Sequence, residues 1–133
     1  MKNLSILLLF FTHFLQASPY AKPSEAHGIL KFNQPHPSKN VFPVEIYQLN
    51  EKQITARKTP LWLKPGIHRI KVSAQINSQQ LSHFISRRIQ SGTTLKNEIT
   101  IKVEEGNIYY VGYDADSHNP SDWKPIVWKT KKL

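Results

Sequence analysis

Lys64-Pro65-Gly66-Ile67-His68-Arg69-Ile70-Lys71-Val72 begins as a turn and continues as a strand. Proline presets the first dihedral of such a turn and glycine takes the positive one. His68, Ile70 and Val72, with Ala74 and Ile76 beyond them, then share one face, while Arg69, Lys71, Ser73 and Gln75 share the other. A period of two marks a half-buried strand. Val103-Glu104-Glu105-Gly106-Asn107-Ile108-Tyr109-Tyr110-Val111 repeats the design, with a glycine turn at the mouth of an apolar strand.

The flanking sequence reads in the same way. Gly28 to Phe32 is a strand with Leu30 and Phe32 on one face, and the prolines at 35 and 37 make 33–40 a loop. Val41 to Leu49 alternates, with Val44, Ile46 and Gln48 on one face and Glu45, Tyr47 and Leu49 on the other. Pro43 suggests that this strand starts on a sheet edge. Asn50 to Pro60 reads as a hairpin connection with a short strand near 53–56. Between 77 and 91, Leu81, Phe84, Ile85 and Ile89 have helical spacing, which predicts a short helix over 78–90; Leu81, Ile85 and Ile89 also suit a strand. Residues 98–113 read as a hairpin turning at Glu105-Gly106-Asn107, 114–121 as a turn-rich loop, and 123–130 as the closing strand. Six to eight short strands punctuated by Pro and Gly predict an all-β domain over 28–130, an antiparallel β-sandwich or partly closed barrel.

The amino terminus has a different character. One lysine at position 2 precedes the mostly apolar run Leu4 to Leu15, and Leu15-Gln16-Ala17 is an acceptable cleavage site. This is the pattern of a signal peptide over 1–17, too short to span a bilayer that needs roughly 20 apolar residues. A periplasmic or secreted product follows, about 116 residues long, with a flexible leader over 18–27 and a basic tail over 131–133. The chain contains no cysteine, so the fold must stand on packing alone, and no lipid-attachment cysteine follows the apolar run. Loss of Lys2 leaves seventeen Lys and Arg against nine Asp and Glu, a net +8. Such a charge suits anionic partners, and it also serves solubility alone. Export argues against nucleic acid.

Leu63-x-Pro65-Gly66-x-His68-x-Ile70-x-Val72, followed by Ile101-x-Val103-Glu104-x-Gly106-x-x-Tyr109-Tyr110, resembles the PEGA-like and carboxypeptidase-regulatory-like sandwich domains of small bacterial exported proteins, many of them uncharacterised. Lys64-Pro65-Gly66-Ile67 stands where the first group carries Pro-Glu-Gly-Ala. The closing Trp123-Lys124-Pro125-Ile126-Val127-Trp128 is similar to the end of one such exported family. The resemblance spans about residues 28–130 and implies an exported accessory or binding domain, with no catalytic residues to carry over.

Motifs for chemistry are sparse. Nucleophilic catalysis needs a nucleophile beside an oriented base, and the chain has neither cysteine nor a Gly-x-Ser-x-Gly elbow. Asp114, Asp116, His118 and Ser121 crowd one loop and are the candidate set for a hydrolase, although turn formation accounts for the same residues. His27, His36, His68, His83 and His118 show no zinc-ligand spacing, leaving His118 with Asp114 and Asp116 as the best metal candidate; no cofactor is expected. His68, on the apolar face, reads as a hydrogen-bonded histidine at the core edge.

Aromatic and basic residues are the stronger signal. Trp62, Tyr109, Tyr110, Tyr113, Trp123 and Trp128 accompany Lys64, Arg87, Arg88, Lys124, Lys129, Lys131 and Lys132. Aromatic faces stack on rings while cations hold anionic groups, and the same aromatics are also natural core fillers. Alternation forbids Tyr109 and Tyr110 from sharing the core, and it points Trp62 away from Leu61 and Leu63. Trp62, Arg87, Arg88, Lys124 and Lys129 are therefore the candidate binding residues. The sequence predicts a monomeric, non-catalytic envelope domain that binds a protein partner, or an anionic glycan or lipid headgroup.

Overall fold

The computed structural model describes residues 18–34, 36, 39–57, 59–74 and 95–133. The expectations for 1–17, for the helix over 78–90, and for Arg87 and Arg88 fall outside the described residues. The described residues form nine strands: β1 (Gly28–Lys31), β2 (Val41–Phe42), β3 (Val44–Leu49), β4 (Lys52–Arg57), β5 (Leu61–Leu63), β6 (Gly66–Ala74), β7 (Glu98–Val103), β8 (Asn107–Asp114) and β9 (Lys124–Lys132). They form two sheets. In the first, β8 lies between β9 on one side and β1 and β2 on the other, and β5 pairs with β1. The second has the order β4-β3-β6-β7. The fold is all-β and sandwich-like, and the sheets do not close into a barrel. It is also not purely antiparallel, because β1 runs parallel to β8. Among the described residues, no helix is long and apolar enough to cross a membrane.

The core lies between the sheets. Leu30, Leu61, Leu63, Tyr109, Val111 and Tyr113 face inward from the first, and Val44, Ile46, Leu49, Ile70, Val72, Ile101 and Val103 from the second. Full burial of a Val, Leu or Ile side chain contributes about 1.5–3 kcal/mol, and here this alone opposes chain entropy without a disulfide. Trp123 is 1% exposed and donates its indole N–H to the Ser117 carbonyl at 2.8 Å, so it is core.

The anchor strand behaves as its alternation predicts. β6 is central, paired with β3 and β7, and buries His68, Ile70 and Val72. Asn50 Oδ1 accepts the Arg69 backbone N–H at 2.9 Å, which turns the amide Nδ2 toward His68 Nδ1 at 3.0 Å. His68 Nε2 then donates to the Lys64 carbonyl at 2.7 Å. Both ring nitrogens are satisfied and the neutral tautomer is fixed, which makes this buried histidine structural.

Four readings change. A register shift between Ile46 and Gln48 makes Tyr47 an extra residue, so Leu49 joins Val44 and Ile46 in the core and Gln48 turns outward. Pro43 separates two strands: β2 is on the edge of the first sheet, and after the proline β3 enters the interior of the second. Residues 98–113 are not a hairpin, because β7 pairs with β6 and β8 with β1 and β9. The turn at Gly106 (φ +82°) carries the chain from one sheet to the other, as does Lys64-Pro65-Gly66, where Gly66 has φ +139°. Finally, the leader is tied down and the tail is strand. Ala21 donates to the Trp62 carbonyl and Lys64 to the Pro19 carbonyl, and β9 continues through Lys132.

Candidate functional site: the outer face of the first sheet

Alternation along β8 turns Tyr109, Val111 and Tyr113 into the core and places Ile108, Tyr110, Gly112 and Asp114 on the outer face. The neighbouring strands supply Lys31 from β1, across from Tyr110, and Trp62 from β5, across from Ile29. On the β9 side, Val127 pairs with Val111 and Lys129 with Tyr110, which leaves Trp128 as the extra residue of a bulge. Bulges re-aim side chains, and this one lays the indole over the sheet. Gly112 makes room for it: a β-carbon there would come within 3.0 Å of Trp128 Cδ1 and 2.5 Å of Val41 Cγ1.

The result is a compact cluster of rings and ammonium groups. Trp128 lies 5.4 Å from Tyr110 and meets His36 edge-on at 5.1 Å. Lys129 Nζ and Lys31 Nζ sit 5.4 and 5.8 Å from the centre of the Tyr110 ring. Both fall within the range of cation–π attraction. Among the described residues the ion pairs join only Arg69 to Glu51 and Glu98, on the opposite sheet, so neither lysine has a carboxylate partner. The hydrogen bond to Glu98, then the charges of Glu98 and Glu51, hold the Arg69 guanidinium above its ordinary value. Two unneutralised ammonium groups therefore converge over one aromatic ring on the outer face.

Beside this cluster is a shallow hollow of about 240 Å³, walled by Trp128, Ile126, Val41 and His36 and rimmed by Lys39, Asp114 and Asp116. Asn40, at φ +52°, donates its side-chain amide to Asp116 Oδ1 at 3.1 Å. Asp114 Oδ1 accepts the Asp116 backbone N–H at 3.0 Å. Each carboxylate keeps a second oxygen without a protein donor among the described residues.

The sequence candidates divide accordingly. Trp62, Lys124 and Lys129 do share the outer face, and Trp62 is 37% exposed with the His27 ring stacked on it at 4.6 Å. They do not form one site. Trp62 is level with Ile108 and Lys124 with Asp114, six residues apart along β8 and so roughly 20 Å distant. Tyr109 is core, whereas Tyr110, on the outer face and only 7% exposed, packs against Trp128 with the two ammonium groups beside its ring. Lys31, His36 and Lys39 were not legible, although the alternation of Lys31 with buried Leu30 placed it on the outer side.

Against known proteins, the chain matches no family model, no curated protein and no solved structure. Its own geometry must carry the reading.

The catalytic and metal candidates do not assemble. In the 114–121 loop, Ser121 Oγ donates to Asn119 Oδ1 at 2.8 Å and Ser117 Oγ to Asp122 Oδ2 at 3.1 Å. Neither serine meets a histidine among the described residues. His118 is exposed, and no three His, Asp or Glu among the described residues are placed to hold a metal ion. The loop's polar groups cap a 3-10 turn over Pro120–Asp122, with Asn119 as its N-cap.

Proposed function

We propose that this protein is a non-catalytic binding domain exported to the cell envelope, and that it holds an anionic ligand, a glycan or a lipid headgroup, on the outer face of the first sheet. The convergence of Lys31 and Lys129 over Tyr110, with no carboxylate to neutralise them, carries the reading. Each ammonium group offers a charge-assisted hydrogen bond to an anion bound on this face. The signal-peptide pattern, the net positive charge and the resemblance to exported sandwich domains support it.

The test is binding of the purified protein to acidic polysaccharides and to vesicles of phosphatidylglycerol or phosphatidylcholine, at low and moderate salt. We expect saturable binding to one anionic class, weakened about tenfold or more in the Lys31→Gln/Lys129→Gln double variant. Uniform weak binding that vanishes with salt and ignores the double substitution would mean that the charge serves solubility only, and would remove the proposal.

A further inference from the structure

Asp114 and Asp116 rim a hollow on a face that is otherwise cationic. Opposite a polyanion, two carboxylates repel, and a surface that reads charge alone is better without them. They become favourable only if the ligand brings hydrogen-bond donors. Sulfate esters, phosphodiesters and the internal groups of a polyphosphate bring none, whereas a sugar ring brings several hydroxyls. The hollow supplies what a sugar needs: free carboxylate oxygens as acceptors, Lys39 as a donor, and an apolar wall of Trp128 and Ile126 for the ring's C–H face.

We infer that the hollow is a sugar subsite and that the ligand is an acidic polysaccharide, one sugar ring seated against Trp128 while an anionic group on the same chain lies on Lys31 and Lys129. The inference rests on the binding face proposed above and narrows its ligand from anions in general to hydroxyl-bearing ones. Trp128 belongs to both parts: it packs against Tyr110, and it forms a wall of the hollow. A ligand crossing from one to the other moves one position along β8, from Tyr110 to the space over Gly112, a distance compatible with neighbouring units of one polymer.

The sign of a single substitution tests it. Asp116→Asn keeps the shape and the oxygen that accepts from Asn40 but removes the negative charge. The probes are polygalacturonate, alginate and chondroitin sulfate, compared with inorganic polyphosphate, which has the charge without the hydroxyls. We expect Asp116→Asn to weaken binding of at least one polysaccharide roughly tenfold, the loss of a hydrogen bond to a charged acceptor, while polyphosphate binds equally or more tightly. If Asp116→Asn tightens every polymer alike, the sugar subsite is wrong and the charged face stands. If wild-type protein binds no polymer saturably, or Lys31→Gln/Lys129→Gln changes nothing, the binding face itself fails and the subsite with it.

Discussion

Tyr113→Phe should make the protein more stable, and increasingly so as pH rises. Tyr113 lies on the inner face of β8, 2% exposed, with its hydroxyl buried and without a hydrogen-bond partner. An unsatisfied buried hydroxyl costs about 1–3 kcal/mol relative to its hydrated state, and Phe keeps the ring while discarding that cost. Part of the gain is lost to the small void left by the oxygen, so a net increase of about 1 kcal/mol is expected near neutral pH. Burial also pushes the Tyr113 phenol up to about 12 from its ordinary 10. Because the folded state holds this proton more tightly than the unfolded chain, the stability linked to it is intact below pH 10 and is lost as pH rises through 12. At pH 11 the loss is on the order of 1 kcal/mol, roughly a tenfold factor in the equilibrium, and the Phe variant escapes it. Urea unfolding of both proteins, followed by far-ultraviolet circular dichroism at pH 8 and pH 11, gives the comparison directly. Every other ionisable group is common to both chains, so its contribution cancels in the difference. A variant less stable than wild type at pH 8, or a gap that does not widen at pH 11, would refute the reasoning.

Gly112→Ala should cost about 1–3 kcal/mol, because its β-carbon must displace Val41 or Trp128; the lowered urea midpoint should be accompanied by weaker binding of acidic polysaccharide. Glu51→Gly should stabilise by about 0.5 kcal/mol in a thermal or urea melt, since Glu51 (φ +69°) follows Asn50 (φ +49°) in a two-residue turn that favours glycine at its second position. The ion pair to Arg69 that this variant loses is exposed on both sides and contributes little.

What the sequence revealed depended on the range of the interaction. The face of β6 was legible because each of its residues needs only its immediate neighbours to set the alternation. Trp62 was legible for the same reason, projecting between two leucines that are both buried. Leu49 was misplaced because the extra residue at Tyr47 reverses the phase, and nothing in Val-Glu-Ile-Tyr-Gln-Leu marks a bulge. The turn at Gly106 was recognised, but its consequence was not. A glycine at positive φ reverses a chain equally well within one sheet or between two, and only the partners of β7 and β8 distinguish the cases. The candidate site failed in the same way. Lys31, Tyr110 and Lys129 are far apart in sequence and meet because β1 lies parallel to β8 on one side while β9 lies antiparallel on the other.

That topology explains why the site sits where it does. A strand that pairs with a distant parallel neighbour has no hairpin to fix its register, so the pairing must be specified by side chains on its two faces. On the inner face, Leu30, Tyr109 and Val111 provide it by burial. On the outer face, Lys31 and Lys129 reach across Tyr110 from opposite sides, and Trp128 covers Gly112. Stability alone would be served by aliphatic side chains at those outward positions, or by one lysine paired with one glutamate. Two ammonium groups beside a single ring, with no carboxylate partner, are instead what the proposed anion-binding role calls for. Under the proposed function the charges stand in place before the ligand arrives, which is preorganisation. The same reasoning locates the specificity. Under the proposed sugar subsite the lysines would hold any anion alike, whereas Asp114, four residues beyond Tyr110 on β8, and Asp116 after it would penalise every ligand that cannot donate hydrogen bonds to them, so discrimination would arise from the repulsive element.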